Sequence, residues 1–152
     1  MIIRKALEID VDEIAEIEKN TFTLPWNKKE ILQDLNNPIA TYFVAVEDNK
    51  VVGYIGYWLV VGEASITSLA VREEYRQKGV AKTLLEKVLL TLKNNSAEFI
   101  LLEVRVSNTI AQKLYTNFGF VEIAIRKNYY ELPKEDAIVM KFKFLKEHTK
   151  YA

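Results

Sequence analysis

Arg76-Gln77-Lys78-Gly79-Val80-Ala81 stands between an apolar run that ends at Val71 and a strongly helical run that starts near Val80. The spacing predicts a strand, a basic turn, and a helix with Gly79 and Ala81 in its first turn. Small residues there let a ligand approach the backbone closely. The free N–H groups and the positive end of the helix dipole then face that ligand. Arg76, Lys78 and Lys82 add positive charge around the same spot. A phosphate or pyrophosphate suits this chemistry. Neither common nucleotide loop, G-x-x-x-x-G-K-[ST] or G-x-G-x-x-G, occurs in the chain. The competing reading is a helix N-terminus that simply needs small residues.

Upstream of this loop, Ile2 to Lys5 reads as a short strand. Asp10-Val11-Asp12-Glu13 has the form of a capping box, before a helix with Val11, Ile14, Ala15 and Ile17 on one side. Thr21 to Pro25 reads as a loop, with Phe22, Leu24 and Trp26 exposed. Asn27-Lys28-Lys29-Glu30 is a second capping box, opening a helix through Leu35 that Pro38 stops. Thr41 to Glu47 and Val51 to Val61 form a hairpin around Asp48-Asn49-Lys50, and Ala64 to Val71 is a further strand.

Downstream, Val80, Leu84, Val88 and Leu92, with Ala81, Leu85 and Leu89, form a broad apolar helical stripe. Asn94-Asn95-Ser96 ends it. Phe99 to Val106 is a strand and Thr109 to Phe118 a helix stopped by Gly119. Phe120 to Arg126 and Ala137 to Phe144 close the domain as strands. The order β-α-α-β-β-β-α-β-α-β-β predicts an α/β fold, a mixed sheet with helices on its faces. The basic loop then follows a mid-sheet strand, where ligands often bind.

A chain of 152 residues is read as one domain, 1–152, with a flexible tail over 146–152. Lys and Arg total 21, as do Asp and Glu, so no global charge attracts nucleic acid or an anionic membrane. With no cysteine, disulfides, thiolate metal sites and a Cys nucleophile are excluded. The single histidine, His148, lies in the polar tail and reads as solvated, which leaves almost no material for a Ser-His-Asp triad or a His-based metal centre. No metal is expected. The N-terminus lacks a long apolar h-region, and the longest apolar stretch, Tyr54 to Val61, is too short to span a bilayer. Cytoplasmic residence fits.

In the strand after the long helix, Leu102, Val104 and Val106 share one face and Leu101, Glu103 and Arg105 the other. Glu103 and Arg105 read as solvated charges on a half-exposed face. The alternative for Glu103 is a carboxylate at the mouth of the sheet, usable as a general base. Ser107 or Asn108 can cap the next helix. Tyr115, with Leu114 and Phe118 around it, reads as core with its hydroxyl at the edge. Its alternative is proton donation, since an unperturbed pKa of about 10 keeps it protonated at neutral pH.

Several ordered motifs now coincide. Arg76 to Ala81 matches the [Q/R]-x-x-G-x-[G/A] loop of the GNAT acetyltransferases. Asn108, Ala111, Tyr115 and Gly119-Phe120 stand as in their N-x-x-A-x-x-x-Y-x-x-x-G-F segment. Leu102-Glu103-Val104-Arg105-Val106-Ser107-Asn108 resembles the L-E-V-R-x-S-N of one branch. Arg126-Lys127-Asn128-Tyr129-Tyr130 and Glu135-Asp136-Ala137-Ile138-Val139-Met140 resemble the R-x-N-Y-Y and E-D-A-x-x-M that accompany it. That branch is the RimI-type protein N-terminal acetyltransferases, which modify alanine of ribosomal proteins. The likeness runs from about Ile2 to Phe144, most tightly from Ser68 to Met140.

The resemblance implies a central mixed sheet of about six to seven strands flanked by about four helices. It implies acetyl-CoA as co-substrate. Leu69, Ala70 and Val71 would meet its pantetheine arm. Arg76, Gln77, Lys78, Gly79, Val80, Ala81 and Lys82 would surround the pyrophosphate. Asn108, Ala111 and Tyr115 would line the CoA chain. Glu103 matches the family's general base and Tyr115 its general acid. Backbone N–H groups of the Ser68–Val71 strand could stabilise the oxyanion. Phe22, Leu24, Trp26, Tyr129 and Tyr130, on two aromatic loops, would hold a protein N-terminus, with alanine preferred and a ribosomal protein the leading partner. Glu63, Glu131, Glu135 and Asp136 could attract a basic residue after that terminus, although solvated loop charges are the plainer reading. The chain is expected to act as a monomer or weak dimer, without nucleic acid or membrane. A small amine or lysine side chain as acceptor, and a catalytically silent CoA-binding module, are the alternatives.

Overall fold

Seven runs with strand-like alternation pair into one sheet in a computed structural model, which describes residues 1–145. The expected tail at 146–152, with His148, lies outside the described residues. Along the chain come β1 (Ile2–Lys5), α1 (Val11–Thr21), α2 (Lys28–Leu35), β2 (Ala40–Glu47), β3 (Lys50–Val60) and β4 (Glu63–Val71). Then follow α3 (Val80–Asn94), β5 (Phe99–Arg105), α4 (Thr109–Asn117), β6 (Val121–Glu131) and β7 (Lys134–Lys143). The spatial order is β1-β2-β3-β4-β5-β7-β6. Only β4 and β5 run parallel, as a crossover through a helix requires. The mixed α/β sheet and element order agree with the reading of the sequence.

Each face of the sheet has its own core. On one, Leu84, Leu85, Val88 and Leu92 of α3 and Tyr115 of α4 pack with Phe43, Ile55, Ile100, Leu102 and Phe120. On the other, Ile14 and Ile17 of α1 and Ile31 of α2 cover Tyr42, Val44, Tyr54 and Ala70. Burying such side chains contributes about 1.5–3 kcal/mol each.

The middle of the sheet is open. β4 and β5 pair only at Glu63–Phe99, Ala64–Ile100 and Ser65–Leu101, then diverge. A bulge sits at the point of divergence: Gly56 of β3 faces Ser68 and Tyr57 faces Ile66, which leaves Thr67 unpaired. An extra residue bends its strand. The result is a wedge between β4 and β5, open toward the N-terminus of α3.

Two local expectations are corrected. Asp10-Val11-Asp12-Glu13 forms no capping box. Asp10 instead accepts from Leu7 N–H (2.7 Å) and pairs with Arg4 at 2.7 and 2.9 Å. Glu13 reaches away, to Val51 N–H (2.9 Å) and Arg72 (3.4 Å). The Asn27–Glu30 box does form. The last two strands are also longer than expected, so Tyr129 and Tyr130 stand on β6 rather than in a loop. A shift of register between Arg126 and Tyr130, with Asn128 at φ 53°, carries the strand through.

Candidate active site

The basic loop turns into α3 through two left-handed residues, Gln77 (φ 60°) and Gly79 (φ 82°). Gly79 directly precedes the helix, and an added Cβ there would meet nothing within 4 Å. The amides of Val80, Ala81 and Lys82 have no acceptor inside the helix. Arg76, Lys78 and Lys82 are exposed around them. Arg76 Nε donates to Val71 O at 3.0 Å, tying the loop to the end of β4. Val80 is buried and contributes only its main chain to this surface.

The wedge runs on from the loop. Leu69, Ala70 and Val71 pair with Ile55, Tyr54 and Gly53 of β3, while their edge toward β5 has no strand partner. Ala70 and Val71 are buried, so they too offer main chain. A free strand edge accepts an extended polar chain. An anion at the end of that chain would meet the α3 N-terminus. The residues therefore fit pantetheine and pyrophosphate. Asn108 caps α4, accepting from Ala111 N–H at 3.1 Å, and Ala111 packs against the core. Capping is thus the observed role of Asn108, and its side-chain NH2 makes no hydrogen bond among the described residues.

Glu103 lies two residues beyond the last β4–β5 pair, half-buried in the wedge, and is held on its other side by Val139 of β7. Leu102 and Val104 point to the α3 core, so Glu103 points to the α1–α2 face. Arg126 Nε is 3.8 Å from its carboxylate. Tyr115 is carried by α4, which Gln112 ties to β5 through Arg105 O (2.9 Å) and Val106 O (2.8 Å), and it packs in the core on the α3 face. Its ring is buried, 5.6 Å from that of Phe120, and its hydroxyl makes no hydrogen bond among the described residues. Burial, reinforced by nearby Tyr130, pushes the Tyr115 phenol well above its ordinary range. It therefore holds its proton at any physiological pH. Burial and then Tyr129 push Tyr130 up to about 12, against the opposing charge of Arg105.

Phe22, Leu24 and Trp26 are exposed on the α1–α2 loop, as expected. Tyr129 and Tyr130 meet edge to face at 5.1 Å. Arg105 organises the β6–β7 turn, donating to Leu132 O (3.1 Å), Pro133 O (3.0 Å) and Glu135 (3.1 Å). Its guanidinium lies 4.2 Å from the centre of the Tyr130 ring. The Thr23 hydroxyl donates to Leu132 O, so the α1–α2 loop and the β6–β7 turn touch. Together they wall the α1–α2 side of the wedge.

The acidic set is corrected. Glu135 accepts from Ser107 N–H and Arg105, which hold its carboxyl below the usual range. Asp136 accepts from Asn128 N–H at 2.8 Å. Glu63 sits at the opposite end of β4 from the loop. Of the four, only Glu131 remains as an exposed negative charge at the turn. Among the described residues, no three His, Asp or Glu gather as a metal site, and no helix is long and apolar enough to cross a membrane.

Sequence reasoning missed Arg105, which it read as a surface charge, and Glu18, a carboxyl 9 % exposed beneath β4. The available signal for Glu18 was its position on the apolar face of α1, one turn after Ile14 and next to Ile17.

Comparison with known proteins places this geometry. The model of the GNAT acetyltransferase family matches residues 11–120. A Bacillus subtilis protein, named as a candidate ribosomal protein bS18-alanine N-acetyltransferase, is 42 % identical over 86 % of this chain and 87 % of its own. An N-alpha-acetyltransferase of Saccharolobus solfataricus is 40 % identical over 91 % of this chain and 90 % of its own. The crystal structure of the ribosomal-protein-S18-alanine N-acetyltransferase of Escherichia coli superposes with a TM-score of 0.91 at 27 % identity, covering 99 % and 98 % of the two chains. With its loop, its wedge and these relatives, the chain belongs to the GNAT acetyltransferase family.

Proposed function

We propose that the chain is a protein Nα-acetyltransferase, moving acetyl from acetyl-CoA to the free N-terminal amine of a protein in a ternary complex. Alanine is the preferred first residue and a ribosomal protein the leading substrate, as the names of its relatives suggest. One observation carries the reading: beyond Ser65 the β4 edge has no strand partner and is free to take the CoA arm, with Glu103 on the β5 side of that opening and the touching α1–α2 loop and β6–β7 turn nearby.

Acetyl-CoA supplies the acetyl group as an activated thioester. Glu103 takes a proton from the α-ammonium, whose pKa near 8 asks only for a modest base. The freed amine forms the new C–N bond as the C–S bond breaks. Main-chain N–H groups of Ser68–Val71 would stabilise the charge that develops on the carbonyl oxygen. Tyr115 gives its proton to the departing thiolate, and the second proton shed by the nitrogen as it becomes an amide returns the phenolate to its neutral form. No covalent enzyme intermediate is needed. Phe22, Leu24, Trp26, Tyr129 and Tyr130 hold the peptide end. The enzyme acts as a single domain, monomer or weak dimer, in the cytoplasm, without metal.

The test is acetyl transfer to short peptides with free Ala, Ser and Met termini, beside an N-blocked peptide with an internal lysine, read by mass spectrometry. Label on the alanine α-amine alone is the expected result. Label on lysine would overturn the substrate reading.

A further inference from the structure

Glu18 is a carboxyl in an apolar core, and no cation pairs with it among the described residues. Burial raises its pKa, against the opposing hydrogen bonds from Trp26 and Ser68. An apolar residue would fill such a place at less cost. Its two oxygens go to different elements. Oε1 accepts from Trp26 N–H (3.4 Å), on the α1–α2 loop. Oε2 accepts from the Tyr54 hydroxyl of β3 and lies 3.5 Å from Ser68 Oγ of β4. Tyr54 and Ser68 are themselves hydrogen-bonded at 2.7 Å. Ser68 directly follows the unpaired bulge residue Thr67, where β4 leaves β5.

A second chain braces the same place. Asp34 of α2 accepts from the Tyr42 hydroxyl and from Trp58 Nε1 (3.0 Å). The Tyr42 ring stacks near Tyr54 at 6.4 Å, and its hydroxyl neighbours Thr67. Gly56, paired to both Tyr42 and Ser68, leaves room for that ring. A Cβ on Gly56 would lie 2.7 Å from it.

Building on the Nα-acetyltransferase reading, we infer that Glu18 is a positioning residue for acyl transfer. Through Tyr54 and Ser68 it fixes the β4 bulge, and through Trp26 it fixes the peptide loop, so one carboxyl keeps both sides of the amine's path in register. It touches neither substrate. Misplacing reacting groups by about an ångström can cost a hundredfold in rate.

The test uses Tyr54→Phe, which keeps the ring and removes the link, with Ser68→Ala and the double variant beside it. Glu18→Gln is a third probe, keeping size while replacing one acceptor with a donor. Steady-state rates are measured on whichever free-amine peptide wild type acetylates. CoA affinity comes from calorimetry and main-chain order from amide exchange at 23–27 and 66–69. For Tyr54→Phe the expected kcat falls about tenfold or more. CoA affinity stays within about twofold, and exchange quickens in both segments. The double variant falls no further than the worse single one, since the residues form one chain. Unchanged kcat with only a lower Tm would overturn the inference. A wild type that acetylates lysine alone would instead overturn the substrate reading, and the same rate ratio on that lysine peptide, with the exchange data, would still decide the role of Glu18.

Discussion

Glu103 is the residue on which the proposed chemistry turns. Replacing it by Gln keeps the shape and removes the base. Turnover of Glu103→Gln is expected to fall by about 10²–10⁴-fold while acetyl-CoA affinity holds. The deficit should be deepest near pH 6 and shrink toward about pH 9, where an amine of pKa near 8 loses its own proton. Parallel pH profiles for wild type and variant would argue against the assignment. Gly79 is the second decisive residue. Its φ is 82°, and a Cβ added there meets no protein atom within 4 Å. The penalty is conformational, about 1–2 kcal/mol for a side chain in the left-handed region, with a branched group added before the helix amides. CoA affinity should weaken about tenfold in calorimetry, and an unchanged value would place the ligand elsewhere.

At the level of elements, β1 is clasped to α1 through Arg4 and Asp10. Burial opposes the charge on Asp10, but the Arg4 and Leu7 hydrogen bonds outweigh it and its pKa is lowered from 3.8. A lowered folded value means stability present above the unfolded pKa and lost as pH falls through the folded one. Asp10→Asn should therefore cost about 2 kcal/mol near neutrality in urea melts, and much less at about pH 3. Gly56→Ala should cost about 1–3 kcal/mol in the same melts, by driving the Tyr42 ring off its seat. Elements defined by their own residues were legible: the alternating strands, the α3 stripe and the Asn27–Glu30 box. Elements defined by distant partners were not. Asp10 to Glu13 fits a capping box locally, yet Glu13 bonds to Val51, 38 residues away. Tyr129 and Tyr130 left the strand reading because the irregularity at Asn128 breaks the alternation. Glu18 needs Tyr54, 36 residues on, before a carboxyl on an apolar stripe makes sense. Glu103 and Tyr115 were ambiguous as single residues, and only their joint register with a known family singled them out.

For the whole molecule, the two faces of the sheet divide the labour. In the proposed function, the α3 side supplies the anion end of the wedge, and the α1–α2 side the wall against which a peptide would be held. A ligand bound to the wedge stabilises the folded chain by mass action, about 2.7 kcal/mol at a hundredfold excess over its dissociation constant. Thermal melts with acetyl-CoA should move upward accordingly, and those of Gly79→Val by less at equal concentration.

Three residue pairs are all that stitch β4 to β5. Mechanically, the sheet is two panels joined at the foot of a seam, and the seam is where catalysis is proposed. A ligand lying along it mends the seam, serving as a temporary eighth strand. The protein is then least cohesive just after product leaves and most cohesive when charged for the next turnover. Its resistance to a protease should rise and fall with the supply of its own co-substrate.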